Sequence, residues 1–197
     1  MTTNLTSFFR ERHHFEELRN LVKANPAKRD WKIWCAAAST GEEPYSIAMT
    51  MKDSCTPGTQ FKIWASDIDT QVLQTAAAGI YKSASLSNLS PEQLKAHFLK
   101  GTGKNAGYCR VKPELKNHIS FFQLNLMSEN WPMKEMFDVV FCRNVMIYFD
   151  AATQRAVLAK IHRKTQPNGI LFIGHSENFS DSSHLFTLKG KTMYMKA

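Results

Sequence analysis

Two rhythms of apolar residues alternate along this chain. Phe15, Leu18, Leu21 and Val22 recur at helical spacing within residues 10–24, and Asn25-Pro26 ends the run. Residues 31–38 form an apolar, β-prone stretch that reads as a central strand. Ser39-Thr40-Gly41 is a turn. Residues 42–53 read as a helix whose first turn holds Glu42, Glu43 and Pro44, where acids and Pro belong. Residues 61–65 are a second strand ending in Ser66-Asp67-Ile68-Asp69, and a helix follows to about residue 78. Residues 138–141 read as a strand, 151–164 as a helix, Pro167-Asn168-Gly169 as a turn and 170–174 as a further strand. Residues 185–188 and 192–195 flank Lys189-Gly190-Lys191, a terminal hairpin signal. The region 83–122 is less regular. Ser90-Pro91-Glu92 marks a helix start, and Gly101-Thr102-Gly103 and Gly107 mark loops. Residues 108–111 and 119–124 are expected to pair as a small hairpin set into the main fold.

Strands alternating with helices predict an α/β fold with a mostly parallel sheet covered on both faces. The terminal hairpin adds an antiparallel pair at one edge. The expectation is a Rossmann-like, seven-stranded sheet with one reversed strand, as in many S-adenosylmethionine (SAM) methyltransferases. A small antiparallel β-subdomain is inserted at approximately 83–122, within one domain spanning 1–197.

Composition narrows the class. An apolar fraction of 43% in 197 residues supports a full core. No run of about 18 apolar residues suggests a membrane span, and residues 1–10 do not read as a secretory signal. Cys35, Cys55, Cys109 and Cys142 form no CxxC pair and have no His at ligand spacing, which predicts free thiols in a reducing cytoplasm and no metal. The net charge of +8 favours an acidic partner. The positive charges are scattered. Their densest group, Lys23, Lys28, Arg29 and Lys32, lacks the interleaved aromatics of a nucleic-acid surface.

Candidate chemistry gathers at strand ends, where open α/β sheets bind ligands. Ala36-Ala37-Ala38-Ser39-Thr40-Gly41 offers small residues for close backbone approach, without GxGxxG or a phosphate-binding Lys. Glu42 and Glu43 then occupy a helix N-terminus that would otherwise attract anions. Glu42 reads as a complement to the helix dipole, and Glu43 as a contact for a cationic ligand such as a sulfonium. Asp67 is suited to both ribose hydroxyls and Asp69 to capping the next helix. Asn125 reads an adenine edge or simply forms a loop, and Leu126 supplies an apolar wall. Arg143 and Asn144 break the apolar stretch 137–150, a costly placement for a charge unless the site uses it. By spacing alone Arg10 is a surface helix arginine, and Tyr148 is either a core aromatic or a site residue.

TNLTSFFRE (3–11), WCAAASTGEEPYS (34–46), ASDID (65–69), Asn125-Leu126, FDVVFCRNVMIYFD (137–150) and GHSENF (174–179) together resemble the chemotaxis receptor methyltransferases, the CheR family, in order and over nearly the whole chain. The resemblance implies a SAM-dependent protein-glutamate O-methyltransferase that forms methyl esters on glutamates of chemoreceptor cytoplasmic helices, without membrane insertion or nucleic acid. It implies SAM contacts from Asn4, Thr6, Arg10, Glu43, Asp67, Asn125, Leu126, Arg143 and Asn144, and catalytic roles for Arg10 and Tyr148. His175 is expected to be structural. The family usually carries a helical N-terminal domain ahead of the TNLTSFFRE segment, and this chain is expected to lack it. In some members the small β-subdomain binds a receptor's C-terminal pentapeptide. Two alternatives are a nucleic-acid methyltransferase, for which the Asp/Asn-Pro-Pro-aromatic motif is missing, and a SAM- or receptor-tail-binding signalling module without catalysis.

Overall fold

The computed structural model describes residues 6–177 and 184–197. The main sheet is built from β1 (Asp30–Cys35), β2 (Gln60–Asp67), β6 (Ile119–Gln123), β7 (Phe137–Cys142), β8 (Thr165–Ile173), β9 (Phe186–Gly190) and β10 (Met193–Lys196). Its order is β6-β2-β1-β7-β8-β10-β9. Neighbours from β6 to β8 run parallel, while β10 is antiparallel to both β8 and β9. The seven strands with one reversed member are therefore present. The terminal hairpin supplies the reversal because its short turn can only bring the chain back antiparallel.

Strand periodicity produces two cores. Ile33, Cys35, Ile63, Ala65, Val139, Phe141, Ile170 and Phe172 point to one face, where α1 (His13–Ala24), α2 (Glu42–Ser54) and α3 (Thr70–Ala78) lie. Trp34, Val140, Cys142, Leu171 and Ile173 point to the other, against α6 (Ala151–Lys164). Each fully buried branched or aromatic side chain contributes roughly 1.5–3 kcal/mol. That is why near-continuous apolar runs, rather than alternating ones, encode these strands. No helix among the described residues is long and apolar enough to cross a membrane.

A second sheet contains β3 (Ile80–Lys82), β4 (Phe98–Lys100) and β5 (Tyr108–Val111), antiparallel in the order β3-β5-β4. Before β4, helix α4 (Pro91–His97) starts at Ser90 with a complete capping box to Gln93. The short α5 (Pro113–Lys116) leads from this sheet back to the main one. Phe8 packs edge-on against Tyr81 and Phe98 at ring separations of 5.0 and 5.7 Å, fixing the small sheet to the segment before α1.

The expected pairing of 108–111 with 119–124 is corrected. Strand β6 leaves the insert and pairs with β2, with Ile119 opposite Ile63. An edge position beside the buried β2 hides Ile119, which a free-standing hairpin would expose. The first helix also starts later than the pattern suggested, at His13, because Phe9 and Glu11 adopt left-handed backbone with φ of 53° and 56°. Central strand β1 stops at Cys35, and residues 36–41 become the loop above it.

Candidate functional site

Strands β1, β2, β6 and β7 end on the same rim, and the strand order reverses between β1 and β7. Loops leaving neighbouring strands diverge at such a point and open a crevice. A cavity of about 470 Å³ lies there, within the usual range for small-molecule sites. Thr6, Arg10, Glu43 and Asp67 line it, as do Asn125, Leu126, Arg143, Asn144 and Tyr148. Asn4 lies outside the described residues.

The β1–α2 loop is braced from three sides. Ala38 N–H donates to the Ser66 carbonyl at 2.8 Å, and Ser39 N–H donates to Asp67 Oδ2 at 2.8 Å. The Tyr81 hydroxyl, from the small sheet, donates to the Thr40 carbonyl at 2.7 Å. Gly41 adopts φ of 100°, and a Cβ there would lie 2.7 Å from the Tyr81 hydroxyl and 2.9 Å from Ala76 Cβ. Only glycine fits this turn. Asp67 also accepts from Asp69 N–H at 3.1 Å, and Asp69 caps α3 by accepting from Gln71 N–H at 2.7 Å. Both acids line the cavity, and Asp69 also starts the helix.

A charge network forms the floor. Arg143, whose side chain is only 1% exposed, pairs with Glu43 and donates to the Arg10 carbonyl at 2.7 Å. It also lies 3.5 Å from Glu11. The Cys35 thiol donates to Glu43 Oε1 at 3.3 Å. Burial pushes the Glu43 carboxyl up, and the Arg143 guanidinium opposes the shift. Burial also raises the Cys35 thiol, helped by the neighbouring Glu43 charge. Arg143 compensates the Glu43 charge where burial would otherwise disfavour it. Arg143 thus holds the Arg10 segment in place as well as bordering the cavity.

The apolar and amide positions divide the cavity. Asn125 accepts from Met127 N–H at 2.9 Å, an Asx turn that shapes the loop while the residue lines the hollow. Leu126 is buried at its side. Lys160, from α6, secures this loop by donating to the carbonyls of Leu126 and Ser128 at 2.6 and 2.8 Å. Tyr148 is 57% exposed at the mouth beside the exposed Ile147, so it is not a core aromatic. Arg10 is exposed at the same opening.

Three contributors escaped the sequence reading. Glu11 meets Arg143 and lies 3.7 Å from buried His14. Donor atoms of Glu11, His13 and His14 fall within 4.8 Å of one another, but the Arg143 charge beside Glu11 opposes a cation there. His14 contacts Thr192 Oγ1 at 2.6 Å, tying α1 to the terminal hairpin. Glu177 accepts backbone N–H groups of Asn144, Val145, Met146 and Gly174. Nothing in a lone Glu after a strand announces that role.

An acid on β2, small residues after β1, an amide and an apolar wall after β6, all opening on one crevice of this sheet, define the class of Rossmann-like methyltransferases. The glycopeptide N-methyltransferase MtfA shares the fold, with a TM-score of 0.52, 12% identity and coverage of 86% of this chain and 56% of that one. Residues 4–195 match the family model described as CheR methyltransferase, SAM binding domain. The chain is 50% identical over 196 residues to the chemotaxis protein methyltransferase of Escherichia coli strain K12, covering 98% of this chain and 68% of that protein. It is 47% identical over 199 residues to chemotaxis protein methyltransferase 2 of Pseudomonas aeruginosa PAO1, covering 100% of this chain and 71% of the relative. The chain belongs to the CheR methyltransferase family, and SAM is its cofactor. Membership disfavours the nucleic-acid and non-catalytic alternatives.

Proposed function

We propose that this protein transfers the methyl group of SAM to glutamate side chains on the cytoplasmic helices of chemotaxis receptors, forming glutamate methyl esters, and that it acts in the cytoplasm. The carrying observation is that residues from five separate stretches of a chain so similar to chemotaxis methyltransferases converge on one cavity. The whole chain acts as one methyltransferase unit with the small β-sheet inserted in it.

The cavity fits the cofactor by its donors. Asp67 is fixed by two backbone N–H groups and takes the ribose diol. Asn125 and Leu126 would hold the base, with Thr6 and Asn144 completing the pocket. Glu43, although paired with Arg143, sets a negative field near the sulfonium. Bound there, SAM would supply a methyl carbon activated by its positive sulfur, with S-adenosylhomocysteine as the leaving group.

The acceptor needs no general base, because a glutamate carboxylate with a reference pKa of about 4.3 is already ionised at neutral pH. No histidine lines the cavity among the described residues. The task of the protein is alignment and exclusion of water, and orientation alone supplies about 7–11 kcal/mol of the barrier. Arg10 steers the incoming carboxylate at the mouth. Tyr148 orients one oxygen, and its exposure suits a surface that meets the receptor helix. The small sheet presents Ile80, Lys82, Leu99, Tyr108 and Arg110 to solvent, a basic and apolar face on which we place the receptor's C-terminal pentapeptide.

Mass spectrometry of a receptor cytoplasmic fragment incubated with this protein and SAM tests the proposal. Expected is a gain of one CH2 per modified glutamate, reversed by mild base. An unmodified fragment, or methylation on lysine or arginine, would overturn it.

A further inference from the structure

The stretch after β7 makes an unusual turn. Asn144 has φ of 57°, Val145 leaves helical backbone, and one tight turn follows at Met146–Tyr148. This path turns successive N–H groups inward to form a concavity for an anion. The anion is the chain's own. Glu177 Oε1 accepts from Val145 and Met146 at 3.0 and 2.8 Å, and Oε2 accepts from Asn144 and Gly174 at 3.0 and 2.6 Å. The Glu177 residue is 7% exposed, so water does not compete for these bonds. Gly174 carries a second, independent mark. A Cβ there would sit 2.5 Å from Asn144 Nδ2 and 2.9 Å from Glu177 Oε2. The end of β8 has therefore been kept bare so that its backbone can close on the Asn144 turn.

We propose that Glu177 is a positioning residue of the methyl-transfer site. Its carboxylate gathers four backbone donors and so sets the cavity wall that carries Asn144 and Tyr148. The inference rests on the methyltransferase reading above and adds a residue that touches neither cofactor nor acceptor. Charge-assisted hydrogen bonds are roughly twice as strong as neutral ones. A glutamine at 177 keeps the shape but turns an NH2 toward two N–H donors, which leaves them unpaired.

Three readouts on the full chain test this: amide hydrogen exchange, S-adenosylhomocysteine affinity, and methyl-transfer kinetics on the receptor fragment. For Glu177→Gln, exchange at Asn144, Val145 and Met146 should accelerate about tenfold or more, with Ile33 and Ile63 unchanged. The kcat should fall about 100-fold, the loss typical of an ångström-scale misplacement, with acceptor KM within about threefold and cofactor affinity reduced no more than about tenfold. Gly174→Ala should give the same signature from the other side of the contact. Wild-type exchange and kcat in folded Glu177→Gln would overturn the proposal. So would faster exchange across the whole core with kcat per folded molecule unchanged, since that marks a stability role alone. If Glu177→Gln fails to fold, Glu177→Asp, with the charge kept and the reach shortened, is read against the same criteria. Exchange and cofactor affinity do not involve the acceptor. A wrong acceptor assignment would therefore leave them intact, whereas a wrong clamp would not.

Discussion

Asp67 and Arg10 line one cavity, and the proposed mechanism gives them different work. Asp67 is anchored by Ser39 and Asp69 N–H groups and faces the cavity. Losing hydrogen bonds to a charged group costs about 1.5–3 kcal/mol. Asp67→Ala should therefore weaken S-adenosylhomocysteine binding roughly 10- to 100-fold by calorimetry, while Arg10→Ala should abolish transfer of labelled methyl with a smaller loss of cofactor affinity. Unchanged transfer by the Arg10 variant would remove it from the mechanism. The place of Asp67 at a strand end was readable from sequence because ASDID closes an apolar run. The engagement of Arg143 with Glu43 was not, since the two lie 100 residues apart. No local spacing reports such a pair, and only the parallel pairing of β1 with β7 brings them into contact.

Among the elements, α1 depends on a titratable latch. His14 is fully buried and bonded to Thr192 in the turn between β9 and β10. Burial lowers its pKa to about 2, and the charge of Arg143 and the neighbouring His13 and His175 add to the shift. The fold therefore favours neutral imidazole. This stability is complete above the unfolded value near 6.5 and is lost as pH falls below it, at up to about 1.4 kcal/mol per pH unit. Glu42 and Glu43, raised by burial, act in the opposite sense, so the comparison must be between wild type and His14→Gln. Urea midpoints should fall between pH 6.5 and 5 for wild type, and more shallowly for the variant. Equal slopes would show that His14 is not the linked group. The pattern of Phe15, Leu18 and Val22 revealed the helix, but the left-handed residues Phe9 and Glu11 that delay its start were invisible. Their backbone strain, about 1–3 kcal/mol each, is tolerated only because tertiary bonds hold it, such as the one from Phe9 N–H to Ser46 Oγ at 3.0 Å.

At the scale of the molecule, a net charge of +8 acts on encounters rather than on the fold. The acceptor proposed above is a glutamate carboxylate, anionic at neutral pH. Raising salt from low to several hundred millimolar should lower kcat/KM on a receptor fragment several-fold while cofactor affinity changes little, because exposed charges are screened over a few ångströms at such salt and a partly enclosed site much less. A flat salt profile would show that the basic surface does not steer the acceptor.

The amino-acid sequence determined the main helices, most strands of the main sheet, the seven-stranded plan and the polar strand ends, because apolar periodicity and helix-start chemistry are local properties; β3 and β4 of the small sheet were too short to show it. Tertiary structure decided that β6 joins the main sheet, that Arg143 is shared between Glu43 and the Arg10 backbone, and that Glu177 closes on the Asn144 turn. Each of these depends on which distant groups lose water together. That free energy belongs to the assembled fold, not to any window of the chain.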